Sequence, residues 1–442
     1  MKFINLLLIL LTALPVFSQT LKKEPVATPA PFELQKNIDL STVTQTLSKA
    51  ITTGDTTFYI RKNLRDSEVD LISVEFYKLF ENEELVVYAE VAEYDEGRVN
   101  DVTVENIVNS LLYETPDGSV NPNQGILTNL TNLFGAVPDV DNNGKMFVLL
   151  IDARDDYDEG GSDTYVAGYF DPIDQMKSKG NYSDIIYIDT NPAESASLYT
   201  LGVVAHELQH LIHYNYDTDE STWLNEGFSE LAPKLLGYDA HTYSRYLVNT
   251  NRKLAAFDGS LLDYSKVGLW TYYIYQRFGK EAIQHVLRNP SNSTLSYEQS
   301  IQELGYSLSF KDLLTDWFIA NLVNDVSIAG GRYGYGGESI PLLQSSHFHS
   351  NFTDGKIIQE IVKPQAAQYL QFNGGRNINF EINIEQHSLA KLIVIKETEP
   401  VQIEEIDISS GAYMLEDLEF GNAYDNLNFI VAWTATLDNS NQ

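Results

Sequence analysis

Residues 203–232, reading VVAHELQHLIHYNYDTDESTWLNEGFSELA, constrain this chain more than any other stretch, because they offer three metal ligands and a base within two short patterns. His206 and His210 stand four apart, and the apolar set Val203, Val204, Leu208, Leu211 and Ile212 predicts a helix around them. On a helix, positions i and i+4 share a face, so two imidazoles converge on one ion. Glu207 then projects beside them. A carboxylate at that place can take a proton from a water that the ion polarises.

Two imidazoles do not complete a catalytic zinc site, which takes three protein ligands and leaves a position open. One way to add the third is HExxHxxGxxH, but here the glycine position holds His213 and the last histidine position holds Tyr216. The other way is a second helix with an inward glutamate. Residues 222–230 fit this, opening after the turn-forming, cap-rich stretch 217–221. Glu226 is the candidate third ligand. Glu230 lies one turn on, on the same face, where it can bind the free ring nitrogen of a ligand histidine and fix its tautomer. His213 reads as an ordinary helix residue.

His206-Glu-Leu-Gln-His210 followed by Asn225-Glu-Gly-Phe-Ser-Glu230 resembles the gluzincins, the thermolysin-like clan of zinc peptidases with HExxH and then NExxS[DE]. AHELQHLI together with WLNE is most similar to the hyicolysin-type secreted neutral metallopeptidases of that clan. The resemblance is sharp over residues 203–232 and diffuse beyond them. It implies Zn2+ held by His206, His210 and Glu226, Glu207 as general base, and protein or peptide substrates. It also implies an α+β fold, in which a mixed β-sheet leads into the HExxH helix and a helical subdomain follows. In the clan an edge strand of the sheet pairs with extended substrate; residues 165–170 are the candidate. Tyr264-Ser-Lys-Val-Gly268 is similar to the YxKG segment that carries an oxyanion-stabilising tyrosine in aminopeptidase branches, which makes Tyr264 a candidate with His347 and His349 as rivals. The GxMEN exopeptidase motif of those branches is absent, which points to an endopeptidase.

Lys2 followed by the apolar run 3–17, with small Ser18 before Gln19, reads as a secretory signal peptide over residues 1–18 and implies an exported, extracellular or periplasmic protein. Its removal takes away one positive charge and changes the net charge from −33 to −34. Such a chain repels nucleic acid and anionic membranes and favours divalent cations and cationic substrates. Further on, no run is long and apolar enough to insert into a membrane. Cysteine is absent, so no disulfide framework stabilises the fold, and a large core, helped by bound ions, must serve instead.

The length, 442 residues, implies more than one domain. Residues 19–33 read as a flexible N-terminus and 34–100 as a β-rich region, either a propeptide or part of the catalytic domain. Residues 101–340 read as that catalytic domain: two helical pieces, three strands (145–152, 165–170, 184–189), the metal-binding stretch and a run of helices. Residues 355–442 alternate in short strands and predict a β-sandwich accessory domain. Asp139-Val-Asp-Asn-Asn-Gly144 resembles the front of a calcium loop, offering Asp139, Asp141 and Asn143 to Ca2+, with Asp152, Asp155, Asp156 or Asp158 as helpers. The twelfth position is Leu150 rather than glutamate, so it is not an EF-hand.

Overall fold

The computed structural model describes residues 54–434 apart from 67–68, 158–163, 178, 195–196, 239–241, 351–358, 375–377 and 386, together with residues 26–28 and 44–46. The expected signal segment 1–18 lies outside the described residues.

The first strands are β1 (Val26–Thr28), β2 (Thr44–Thr46), β3 (Thr56–Arg61), β4 (Asp70–Glu81) and β5 (Leu85–Glu90), followed by helices α1 (Val91–Asp95), α2 (Asp101–Leu112) and α3 (Ile126–Leu133). Strands β6 (Met146–Ile151), β7 (Thr164–Val166), β8 (Gly168–Tyr169) and β9 (Ile185–Asp189) come next. Helices α4 (Leu198–Tyr216), α5 (Thr222–Leu235), α6 (Ser244–Leu247), α7 (Leu261–Leu287), α8 (Thr294–Glu303) and α9 (Phe310–Val323) form a helical region. The last strands are β10 (His347–His349), β11 (Ala366–Asn373), β12 (Ile378–Asn383), β13 (Ala390–Lys396), β14 (Gln402–Ile406), β15 (Ala412–Asp417) and β16 (Asn426–Trp433).

The main sheet runs in the order β2-β4-β5-β6-β9-β8, with β3 also on β4. It is mixed: β5, β6 and β9 are parallel neighbours, while β4 with β5 and β8 with β9 are antiparallel. Strands β2 to β5 of the expected β-rich region 34–100 therefore belong to the same sheet as β6 and β9. Strand β6 reads as unbroken apolar sequence because both faces are covered. Val148 and Leu150 enter the large core beneath the helices, and Leu149 and Ile151 enter a second cluster with Phe58, Phe76, Tyr169 and Tyr187. That second cluster draws mainly on strands of this one sheet, which curls around it, with Val166 of β7 added.

Helical punctuation follows the sequence. Gly279 has φ 79° and divides α7 into two helical parts, as a helix-ending glycine does. Asn324, left-handed at φ 40°, ends α9.

Strands β10-β11-β16-β13-β14 form a five-stranded sheet, and β12 pairs with β15. Ile393 and Ile395 point into the large core, while Leu392 and Val394 pack in a cluster that includes Ile382 and Leu415 of the β12/β15 pair. The two-residue alternation thus gives the sheet two packed faces, one against the helical region and one toward the pair. Of the segment 19–33, the described residues, β1, pair in parallel with β7.

Candidate metal centre

Helix α4 is capped by Ser197, whose Oγ accepts the Thr200 N–H at 3.1 Å, and every residue from Thr200 to His213 is buried. Its position between sheet and helices explains why it is largely apolar on all sides apart from the stretch around His206, Glu207 and His210. The connection to α5 spans only residues 217–221, so the chain turns back and the two helices pack together. Helix α5 meets α7 closely at Gly227, where a Cβ would lie 2.4 Å from Thr271 Oγ1.

This packing brings His206, His210 and Glu226 together, each buried, with one ligand atom apiece inside a 4.8 Å group. The two Nε2 atoms stand 3.1 Å apart, and Glu226 Oε2 is 3.4 Å from His206 Nε2 and 3.5 Å from His210 Nε2. The outer ring nitrogens are held by other groups. His210 Nδ1 is 2.7 Å from Asn225 Oδ1 and 3.0 Å from Ser229 Oγ, and Ser229 Oγ donates onward to Gln209 Oε1. His206 Nδ1 is 3.2 Å from Glu230 Oε1. Acceptors at both Nδ1 positions favour the tautomer with its proton there, which aims two Nε2 lone pairs at a buried carboxylate oxygen without a hydrogen-bond partner. Positive charge is required at that point. The residues themselves register this demand: burial opposes a charged His206, yet Glu226, Glu230 and Glu207 hold its pKa well above the usual histidine value. Burial likewise opposes an ionised Glu226, but His210 and His206 bring it down to about 2. Two imidazoles and one carboxylate converging with their outer sides hydrogen-bonded are the donor set and support that zinc takes.

Glu207 stays outside the ligand group. Buried against β8, it accepts a hydrogen bond from the Phe170 backbone, and burial raises its pKa. A Cβ on Gly168 would lie 2.7 Å from Val203 Cγ1 and 3.3 Å from Glu207 Cγ, so the bare glycine lets the strand rest on the helix.

Tyr264, on α7, has its ring centroid 6.4 Å from that of His206 and packs edge-on against Phe257 at 4.9 Å. Burial, then the carboxylates of Glu226, Glu230 and Glu207, raise its pKa well above 10, which keeps the phenol a hydrogen-bond donor. Lys266 of the same motif turns elsewhere: buried, it donates to the Lys253 and Ala256 carbonyls and to Asp263. The rivals His347 and His349 lie on β10, paired with β11 in the C-terminal sheet, where His347 meets Glu360 at 3.2 Å. His213 is buried against Phe228, and neither ring nitrogen has a hydrogen-bond partner.

No protein-family model matches the chain. Over 231 residues it is 25% identical to the neutral metalloprotease ShpI of Staphylococcus hyicus, covering 46% of this chain and 51% of that protein. The chain is related to a metalloprotease. It spans about half the length of the curated relative it matches.

Sequence reasoning assigned no role to Asn225 or Ser229, although both sit in the quoted motif. Their part is to grip His210 from α5, and the signal was their spacing around Glu226: one residue before it and three after place them on the flanks of the same helical face. Tyr199 at the start of α4 was also passed over. Burial, followed by Tyr165, Glu230 and Glu207, raises its pKa, which places a second, half-buried phenol in the field of the site.

Proposed function

We propose that this chain is an exported zinc-dependent endopeptidase of gluzincin type, with His206, His210 and Glu226 as metal ligands and Glu207 as general base. The observation that carries the reading is the convergence of those three ligand atoms within 4.8 Å while a further buried acid, Glu207, stays out of the group. Zinc bound there would polarise the scissile carbonyl and acidify the attacking water. Glu207 takes the proton of that water and passes it to the leaving amine; its raised pKa brings it nearer to neutrality, where an acid can both accept and return a proton. Tyr264 donates to the carbonyl oxygen as negative charge develops on it. Asn225, Ser229 and Glu230 hold the two imidazoles in the orientation the ion needs.

Strand β8 ends the order of the main sheet and rests on Glu207, so an extended peptide adding to that edge would pass the base. The expected export segment suits a protein working outside the cytosol. A binding protein on a retired peptidase scaffold is the competing reading. It gives no reason for Glu207 to remain buried and hydrogen-bonded beside an intact ligand set. The test is hydrolysis of casein by the purified protein: activity is expected to vanish with a chelator and return with zinc. Casein turnover indifferent to chelator, or none in zinc-loaded protein, contradicts the proposal.

A further inference from the structure

We infer that the loop before β6 and the start of β9 together form a calcium site, whose buried ligand is Asp184.

The loop Asp139–Gly144 has the turn of a calcium-binding segment. Asn142 and Gly144 are left-handed at φ 59° and 73°. Asp139 Oδ1 accepts the Gly144 N–H at 3.0 Å, and Asp141 Oδ1 accepts the Asn143 N–H at 3.2 Å. What such a loop lacks by itself is the acid that closes it from further along the chain, since the twelfth residue is Leu150, buried in β6. Strand register supplies a replacement. Phe147 pairs with Ile185 in parallel, and the Phe147 N–H donates to the Asp184 carbonyl at 2.8 Å, which sets Asp184 beside the beginning of β6. Its Oδ2 accepts the Val140 N–H at 3.1 Å.

One carboxylate oxygen from each of Asp139, Asp141 and Asp184 falls within a 4.8 Å group. Asp184 is fully buried and its Oδ1 has no hydrogen-bond partner; the Gln175 amide beside it donates to the Ser183 carbonyl at 3.1 Å. A buried carboxylate oxygen without a donor, next to two more carboxylates, is costly unless a cation joins them. Among the described residues none of the three acids is ion-paired, and the nearest lysine in sequence, Lys145, reaches Glu81 instead at 2.5 Å. Asn143, offered to the ion by the sequence pattern, closes the turn: its Nδ2 donates to Asp141 Oδ2 at 2.7 Å and its Oδ1 accepts the Lys145 N–H at 2.6 Å. Of the expected helpers, two serve elsewhere, and Asp158 lies outside the described residues. Asp155 accepts the Val166 and Tyr157 N–H groups, and Asp156 accepts from Asn63.

An all-oxygen site suits a hard cation rather than zinc, and two of its three acids sit on a surface loop that tolerates calcium's larger, irregular shell. The bound ion would staple the entry of β6 to β9, the strand that precedes the metal-binding helix α4.

The experiment is thermal melting of the full chain, kept zinc-replete, against added calcium chloride. The parent is expected to rise by a few degrees, with the rise setting in between about 0.1 and 1 mM and growing with the logarithm of calcium concentration above that, as for extracellular calcium modules. Asp184→Asn should abolish the rise while melting no lower than the parent without calcium, because it removes the buried charge. Asp141→Asn provides the same loss should Asp184→Asn fail to fold, and Asp155→Asn, outside the group, should keep the full rise. A parent indifferent to calcium, a rise surviving in both variants of the group, or an equal rise with magnesium chloride would overturn the assignment.

Discussion

At the residue scale, two buried side chains near the centre separate chemistry from packing. Tyr264 is held by Phe257 and faces three carboxylates, and its ring packing does not depend on the hydroxyl. If the hydroxyl bonds the developing oxyanion, Tyr264→Phe should lower kcat by about a hundredfold or more while KM changes little, because the lost interaction belongs to the transition state. Unchanged peptide turnover in that variant would reduce Tyr264 to a core residue. His213 makes the opposite case. Burial, then the charge of His210, lowers its pKa to about 3 from an ordinary 6.5. The unfolded chain therefore binds a proton below about pH 6.5 that the folded chain refuses until about pH 3. Stability tied to the neutral ring is complete above that window and is lost as pH falls through it. His213→Leu, which forfeits no hydrogen bond, should flatten the decline of the urea midpoint between pH 6 and 4 and leave zinc content unchanged. A parallel decline in parent and variant would show that other groups govern acid unfolding.

At the scale of elements, the distance between α5 and α7 sets the site, since Glu226 is next to Gly227 and Glu230 packs where a Cβ on Gly268 would stand 3.0 Å from its Cβ. Gly227→Ala gains about 1 kcal/mol of helix propensity but drives a methyl to 2.4 Å from Thr271 Oγ1, an overlap that typically costs about 1–3 kcal/mol. Thr271 cannot rotate away freely, because its hydroxyl donates to the Val267 carbonyl at 3.0 Å. The variant should melt below the parent and bind zinc less tightly, with part of both losses recovered in Gly227→Ala/Thr271→Ala. A melting temperature at or above the parent's would mean the helices are looser than their spacing indicates. The helices around the site were legible from the chain, because their signals are local: apolar spacing for α4, a cap-rich stretch before α5. His206, Glu207, His210, Glu226 and Glu230 were legible for the same reason, each lying on one of two neighbouring helices. Contacts fixed by register or docking were not. The grip of Asn225 and Ser229 on His210 depends on the rotation of α5 against α4, Asp184 reaches the loop at Val140 only through strand pairing, and β1 on β7 joins segments far apart in sequence.

At the scale of the whole molecule, a curled mixed sheet and a helical layer clamp α4 between them, and the C-terminal sheet closes the far side of the same core through Tyr369, whose hydroxyl donates to the Phe318 carbonyl at 2.8 Å. Such burial explains how a chain with a net charge of −33 and no cysteine can hold His206, Glu207, His210, Glu226 and Glu230 in fixed positions. It also joins the relationship to a metalloprotease with the geometry of the centre. On the proposed function, the centre divides into groups that hold the ion and one that works on water. Glu207→Ala tests that division most directly, measured as zinc per chain and casein hydrolysis on the same preparation. The predicted result is about one zinc per folded chain with proteolysis nearly abolished. Proteolysis at the parent rate, or loss of the zinc along with the activity, would contradict it.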